Sequence, residues 1–337
     1  MITAKTETSR PLVSVGCAVY NGAETLRRAL DGLVRQDYPC VEIIICDDGS
    51  TDNSRAICRE YSMRNTSIRY VENDKNLGLC ENFNQLFRLS TGSYFFWADQ
   101  DDVRDPCFIS KCVAVLESDR ETVLCHSYTG VFWKKFENLM HITTINGVDN
   151  VSSVLRRYWR FLRRYSDTTI YGLIRSEALR KTELWRPDLG SANALLFELL
   201  LLGKFRQVPE VLYYYSAKGL CNRPTPEEEY FRQTCGRRLS KYRRPFLVLA
   251  FNQTKGIFAS PCSLSSKGLI LLMLWLHVAM VNFAKAIFRL VSAVMGRHVP
   301  KWFEDTCRYA VLDLRDIHFT IPQEKNRDYL PKAWLLR

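Results

Sequence analysis

The sequence predicts an α/β protein: a Rossmann-like, mostly parallel sheet flanked by helices, followed by a helical C-terminal extension. Three observations carry that expectation. Strand-like and helix-like stretches alternate from residue 12 onward. The strand-like runs are almost continuously apolar, as strands covered on both faces are. Two acidic clusters, Cys46-Asp47-Asp48-Gly49-Ser50-Thr51-Asp52 and Asp99-Gln100-Asp101-Asp102, each close such a run. Carboxylates there lie at the C-terminal edge of the sheet, where open α/β folds bind ligands.

The elements follow in order. Leu12–Val19 is an apolar strand, broken by Tyr20-Asn21-Gly22. Ala23–Gln36 has helical spacing, with Leu26, Leu30 and Leu33 on one side, and ends at Tyr38-Pro39. Val41–Cys46 is a second strand, and Asp52–Met63 a helix capped by Ser50, Thr51 or Asp52. Ile68–Val71 is a third strand, Asn73–Gly78 a turn, Leu79–Leu89 a helix and Tyr94–Ala98 a fourth strand. Asp105-Pro106 opens a helix to about Glu117, and Thr122–Ser127 is a fifth strand. Beyond residue 150 the spacing predicts a helix over Val154–Tyr165, a strand over Thr168–Ile174, a helix over Ser191–Leu202 and a strand over Phe205–Tyr215 interrupted by Pro209. A polar linker at 219–229 separates a first domain, 1–218, from a helical, basic region, 219–337.

Charge divides the chain the same way. Residues 1–150 carry 16 Lys and Arg against 21 Asp and Glu; residues 151–337 carry 31 against 15. An acidic site in the first half and a basic surface in the second are expected. No nucleic-acid motif accompanies the positive charge, so nucleic acid is not expected as a partner. The 12 cysteines form no Cys-x-x-Cys or zinc-type spacing. Several sit inside strand patterns as small core hydrophobes, which fits reduced thiols and a cytoplasmic setting. Met1 to Pro11 is polar and lacks the apolar core of a signal peptide.

An Asp-x-Asp at a strand end offers hard oxygen ligands to Mg2+ or Mn2+, and such a cation usually sits on phosphates. Asp99 and Asp101 are the candidate pair, and a nucleoside diphosphate the candidate ligand. A polar loop with Asp102 or Asp105 capping the next helix is the plainer alternative, but four carboxylates within seven residues exceed what a cap needs.

Ala18-Val19-Tyr20-Asn21, the Cys46–Asp52 cluster, Asn76-Leu77-Gly78, Thr91-Gly92-Ser93-Tyr94 and Asp99-Gln100-Asp101-Asp102 stand in the order and spacing of family 2 glycosyltransferases. The chain resembles that family over roughly residues 11–216, and its Asp-Gln-Asp-Asp form is similar to bacterial O-antigen and capsular polysaccharide enzymes of the rhamnosyltransferase type. The resemblance implies a GT-A fold, a nucleotide-sugar donor, a divalent metal and inversion at the anomeric carbon. It implies that Ala18, Tyr20, Asn21, Asp48, Asn76, Gly78 and Asp99 bind the donor, with Asp101 and Asp99 at the metal. Tyr20 would stack on the base. Asp48 would accept the imide N–H of uracil or thymine, so UDP or dTDP is expected rather than GDP. Asn82 matches a polar position on the following helix.

The resemblance thins on the acceptor side. Inverting transfer needs a general base, and Asn193 stands where the family pattern places an acid. Asp188 is the nearest carboxylate able to replace it, whereas Glu198 reads as structural. Ser216-Ala217-Lys218 replaces an Arg-and-His continuation, and Arg104 stands where the subgroup often has Trp. Two functions therefore compete: a metal-dependent glycosyltransferase acting on a saccharide or lipid-linked saccharide, and a non-catalytic nucleotide-sugar-binding or assembly subunit. A sugar nucleotidyltransferase ranks below both, because Val19–Ala23 lacks its Gly-rich, Arg-containing loop.

The basic half suggests a membrane surface. Over 154–165 the spacing puts Leu155, Tyr158, Phe161, Leu162 and Tyr165 on one side and Arg156, Arg157, Arg160, Arg163 and Arg164 on the other. Leu269–Met280 is apolar but shorter than the ~20 residues a span needs. The alternatives are that 154–165 is a domain helix with a solvated basic face and that the apolar segment packs on the first domain; a cytoplasmic location is the expectation, peripheral on the inner face of the cell membrane if these segments meet lipid.

Overall fold

The computed structural model describes residues 10–132, 139–144, 148–163, 166–187, 191–217, 245–295 and 318–319. Four strands, β1 (Val13–Val19), β2 (Val41–Asp47), β3 (Ile68–Glu72) and β4 (Tyr94–Asp99), run parallel in the order β3-β2-β1-β4. Each is linked by a crossover helix: α1 (Leu26–Val34), α2 (Ser54–Arg64) and α3 (Leu79–Leu89). β5 (Val103–Arg104) and α4 (Phe108–Ser118) follow.

The sheet continues through a mixed half. β6 (Thr122–Phe132) has β7 (Leu139–Thr143) and β8 (Leu173–Arg175) antiparallel on one edge. β9 (Lys204–Ser216) lies parallel on the other. β8 joins this half to β4, and β9 returns to pair Tyr214 and Tyr213 with Val103 and Arg104 of β5. The two-residue β10 (His318–Phe319) pairs with β7. Both faces are covered. Leu26, Leu30, Ile57, Ile109 and Leu116 of α1, α2 and α4 are buried on one. On the other lie α3, α5 (Val154–Arg163), α7 (Ser191–Leu202), α8 (Pro245–Ala259) and α9 (Leu264–Met295).

The expected elements recur, with instructive differences. Pro209 does not interrupt β9: Ser127 pairs with Val208 and Tyr128 with Val211, so Pro209 and Glu210 are absorbed in a bulge. The β-branched run at 168 is not one strand. Asp167–Tyr171 forms a 3-10 turn, because Gly172 N and Thr169 N bond back to Thr169 O and Ser166 O, and β8 starts only at Leu173. A short helix α6 (Ser176–Leu179) follows. Arg157 corrects the expected polar face of α5: it is buried, donating to the carbonyls of Leu200, Val151 and Ser152. Arg156 and Arg160 are exposed; residues 164–165 lie outside the described residues, as do the linker and the boundary at 218. Ala250, Ile257, Ile270 and Leu274 of α8 and α9 share one core with α7. The nine cysteines among the described residues are free thiols.

Candidate active site

Strand register gathers the predicted donor residues. Ala18 stands opposite Cys46 on one side and Asp99 on the other, and Val19 opposite Asp47. Asp48 N donates to Val19 O at 2.8 Å, and Asn73 N to Asp47 O at 2.9 Å. Tyr20, Asn21, Asp48, Asn73 and Asp99 therefore share the C-terminal edge of the parallel half.

The two adjacent carboxylates of β2 divide their work. Asp47 accepts Ser50 N at 2.8 Å and shapes its own loop. Asp48 is buried and shapes the next one, accepting Asn73 Nδ2 at 3.1 Å, Leu77 N at 2.8 Å and Gly78 N at 2.9 Å. Asn76 Oδ1 shares the Gly78 N–H at 2.8 Å. Gly78 sits at φ 86°, ψ 155°, a conformation essentially restricted to glycine. Asn21, at φ 48°, donates its N–H to Ser50 Oγ and accepts Thr51 N. The N-cap of the following helix is Asn53, not Ser50, Thr51 or Asp52; Asp52, one residue earlier, accepts Ser54 N at 2.9 Å. Tyr20 is 46% exposed, its ring in reach of a stacking partner. Asn82 is buried, and its Nδ2 donates to Cys46 O at 3.2 Å.

The acidic turn is tightly braced. Gln100, the middle residue of the Asp-x-Asp, accepts Tyr20 N at 2.8 Å and donates to Tyr20 O at 2.9 Å. A Cβ on Gly22 would meet Gln100 Oε1 at 2.2 Å, which explains the glycine there. Arg28 Nη2 donates to Asp101 O at 3.0 Å. Asp102 faces inward, accepting Tyr213 Oη–H and, at 2.9 Å, Ser216 N. Neither Asp102 nor Asp105 is the cap of α4, whose N-cap is Cys107; Asp105 accepts Cys107 N at 2.9 Å. Burial pushes the Asp99 carboxyl up and Asp101 adds to the shift, while the Tyr171 hydroxyl and Arg104 oppose it. Asp102 is raised by burial and then by Asp101 and Asp99.

Tyr171, Tyr213 and Gln100 were not among the sequence candidates. The tyrosines lie far from the acidic turn in the chain, and no local pattern marks them. Gln100 carried a signal: a long amide between two carboxylates can reach a neighbouring backbone.

The acceptor side differs. Asn193 is buried on α7 and accepts Gln253 Nε2 of α8 at 3.1 Å. Asp188 lies outside the described residues. Glu198 accepts Glu183 N at 2.8 Å and pairs with Arg186. The segment before it is fastened by Asn84, which donates to Trp185 O at 2.8 Å and accepts Trp185 N at 3.0 Å.

Among the described residues no three His, Cys, Asp or Glu side chains converge on a point. Two carboxylates that repel one another at a partly buried strand end nevertheless fit a hard divalent cation. Mg2+ in particular binds through one or two carboxylates and takes its remaining oxygens from water and substrate phosphates.

A parallel sheet with acidic loops at its carboxyl edge, extended by a mixed half whose last strand pairs with β5 beside the acidic turn, is the GT-A fold. The family model described as "Glycosyl transferase family 2" matches residues 14–185, half of the chain, and the chain belongs to that family. It is 30% identical over 118 residues to glycosyltransferase GlyG of Streptococcus pneumoniae, spanning 35% of this chain and 39% of that one. It is 31% identical over 109 residues to chondroitin synthase of Escherichia coli, spanning 32% and 16%. The chain thus spans about two fifths of the first of these relatives and much less of the second. Among solved structures it is similar to S. aureus TarS 1–349 in complex with UDP-GlcNAc, with a TM-score of 0.58 at 14% identity over 77% of this chain and 70% of that one. At that identity the likeness bears on the fold.

Proposed function

We propose that this chain is a metal-dependent, inverting glycosyltransferase that moves a sugar from a nucleoside-diphosphate donor to a saccharide or lipid-linked saccharide in surface polysaccharide synthesis. The observation that carries the proposal is the meeting of Tyr20, Asp48 and the Asp99–Asp101 pair along one sheet edge. The GlyG and TarS likenesses agree with it. Tyr20 offers a ring to the base. Asp48 holds the loop under the base, and Oδ2, which takes one protein donor, keeps a lone pair for the N–H of uracil or thymine. Asp101 and Asp99 would hold Mg2+ or Mn2+ against the diphosphate. A bound cation there supplies Lewis-acid stabilisation of the departing nucleoside diphosphate. An amide cannot take the acceptor's proton, and Asn193 is already engaged with Gln253, so the base role is assigned to Asp188.

Among the described residues no helix is long and apolar enough to cross a membrane. We place the chain on the cytoplasmic membrane surface. Leu269, Leu272, Leu276, Met280 and Phe283 form an exposed stripe on α9 at helical spacing. Trp159, Arg156 and Arg160 are exposed on α5, which packs against α9. Residues 245–295 contain four basic residues and no acidic one. An anionic lipid surface complements that chemistry, whereas a second copy of the same face would bring like charges together.

The test is Asp101→Asn. It should keep the fold and lose Mn2+-supported binding of UDP beyond the ~10–100-fold typical of an outer-shell change, as read by calorimetry with and without EDTA. Undiminished, Mn2+-dependent binding in the variant would remove Asp101 from the site.

A further inference from the structure

Arg104 is an unusual residue to bury. It is 2% exposed on β5, just beyond the acidic turn. Its guanidinium lies 3.6 Å from the ring centroid of Tyr213, 4.9 Å from that of Phe108 and 5.4 Å from that of Phe96. Nη2 donates to Tyr171 O at 3.0 Å and Trp97 O at 3.3 Å. Nε and Nη1 are buried without a hydrogen-bond partner, and no carboxylate among the described residues lies within ion-pair distance. A desolvated, half-satisfied cation is costly, so packing alone is a poor account of it.

Its neighbours supply the account. Tyr171 gives its carbonyl to Arg104, and its hydroxyl lies near enough to Asp99 to oppose the upward shift of that carboxyl. Tyr213 gives its ring face to Arg104 and its hydroxyl to Asp102. One planar cation thus fixes both tyrosines, and the tyrosines hold the carboxylates at the two ends of the Asp-Gln-Asp-Asp turn.

We propose that Arg104 is the positioning residue of the acidic turn: through Tyr171 and Tyr213 it aims Asp99 and Asp102 and thereby sets the affinity of the edge for a divalent cation and a nucleoside diphosphate. The proposal rests on the metal-and-nucleotide reading of that edge. Its always-charged, flat, forked head suits the task in a way lysine does not, since it stacks on one ring and bonds two carbonyls at once. The positive charge also acts on Asp99, whose upward shift it opposes.

The experiment compares wild type with Arg104→Lys, Arg104→Met and Tyr171→Phe. Mn2+-supported UDP affinity is read by calorimetry, with thermal unfolding to verify the fold and crystal structures to locate Asp99 and Asp102. Positioning predicts that Arg104→Met weakens Mn2+-supported binding by about 10–100-fold. Arg104→Lys should restore little, and adding Tyr171→Phe to Arg104→Met should cost far less than it does alone. If Arg104→Met does not fold, the lysine variant carries the same comparison. Folded arginine variants with wild-type Mn2+-supported affinity overturn the proposal. If wild type itself shows no Mn2+-supported UDP binding, the metal reading fails, and the crystal structures still decide. Asp99 and Asp102 displaced in the folded variants support positioning, and both carboxylates unmoved refute it.

Discussion

The parallel edge of β1–β4 and the α7–α8 side hold their polar groups by different means. At the edge, adjacent strand ends in register do the work: Asp48 reaches partners 25 to 30 residues away, on loops that its own neighbours position. On the α7 side, Asn193 is met by a residue 60 positions away, on α8. Local strand geometry makes the first arrangement robust and separable. Tertiary docking makes the second depend on the C-terminal helices. If the edge is the donor site, it can therefore stay intact while the α7 side changes its chemistry, which is the pattern of matches and departures that the sequence resemblance implies.

Three sets of substitutions bear on that contrast. The largest effect is expected at Asp188. If it is the base, Asp188→Asn should lower turnover by about 10²–10⁴-fold with donor affinity unchanged, measured with a verified acceptor. An Asn193→Asp protein that gains rate while Asp188→Asn loses none would move the base onto α7. A fast wild type indifferent to both would displace the acceptor site altogether.

The middle effect is at Gly78. A side chain there must adopt φ 86°, ψ 155°, at a cost of about 1–3 kcal/mol. Gly78→Ala should lower the unfolding temperature and weaken UDP binding. Gly268→Ala, in α9 with nothing within 4 Å of the added carbon, should do neither. Equal effects at both positions would erase the distinction between edge and extension.

The smallest effect concerns the membrane surface. Each basic residue near anionic lipid contributes on the order of 1 kcal/mol. Arg156→Gln with Arg160→Gln should therefore weaken sedimentation with anionic vesicles by roughly 30-fold at low salt and leave donor binding untouched. Equal, negligible binding of wild type to anionic and neutral vesicles would leave α5 and α9 as packing elements.

What was legible in the sequence follows the same division. The alternation of apolar strands and amphipathic helices located the parallel half, and Asp48, Asp99 and Asp101 stood at its strand ends. Runs shaped by tertiary partners were misread. Thr168–Ile174 has strand composition, but Gly172 must pack so closely that a Cβ would lie 2.7 Å from Cys125 O, and the chain turns before it. Arg157 reads as a surface arginine until the carbonyls of Leu200, near the end of α7, and of Val151 and Ser152 claim it. Tyr171 and Tyr213 carry no local mark, because their partners at the acidic turn become neighbours only when β5 meets β9.

Gln100 has a consequence of its own. Its two hydrogen bonds to the Tyr20 backbone tie the strand that would bear the base to the turn that would bear the cation. With that tie, a displacement of one is transmitted to the other, and the two ligands share a single coupling free energy. Linkage makes the coupling reciprocal: whatever factor Mn2+ adds to the affinity for UDP, UDP adds to the affinity for Mn2+. Because the tie is formed when the chain folds, the ordering of the two loops is met by folding rather than charged against ligand binding.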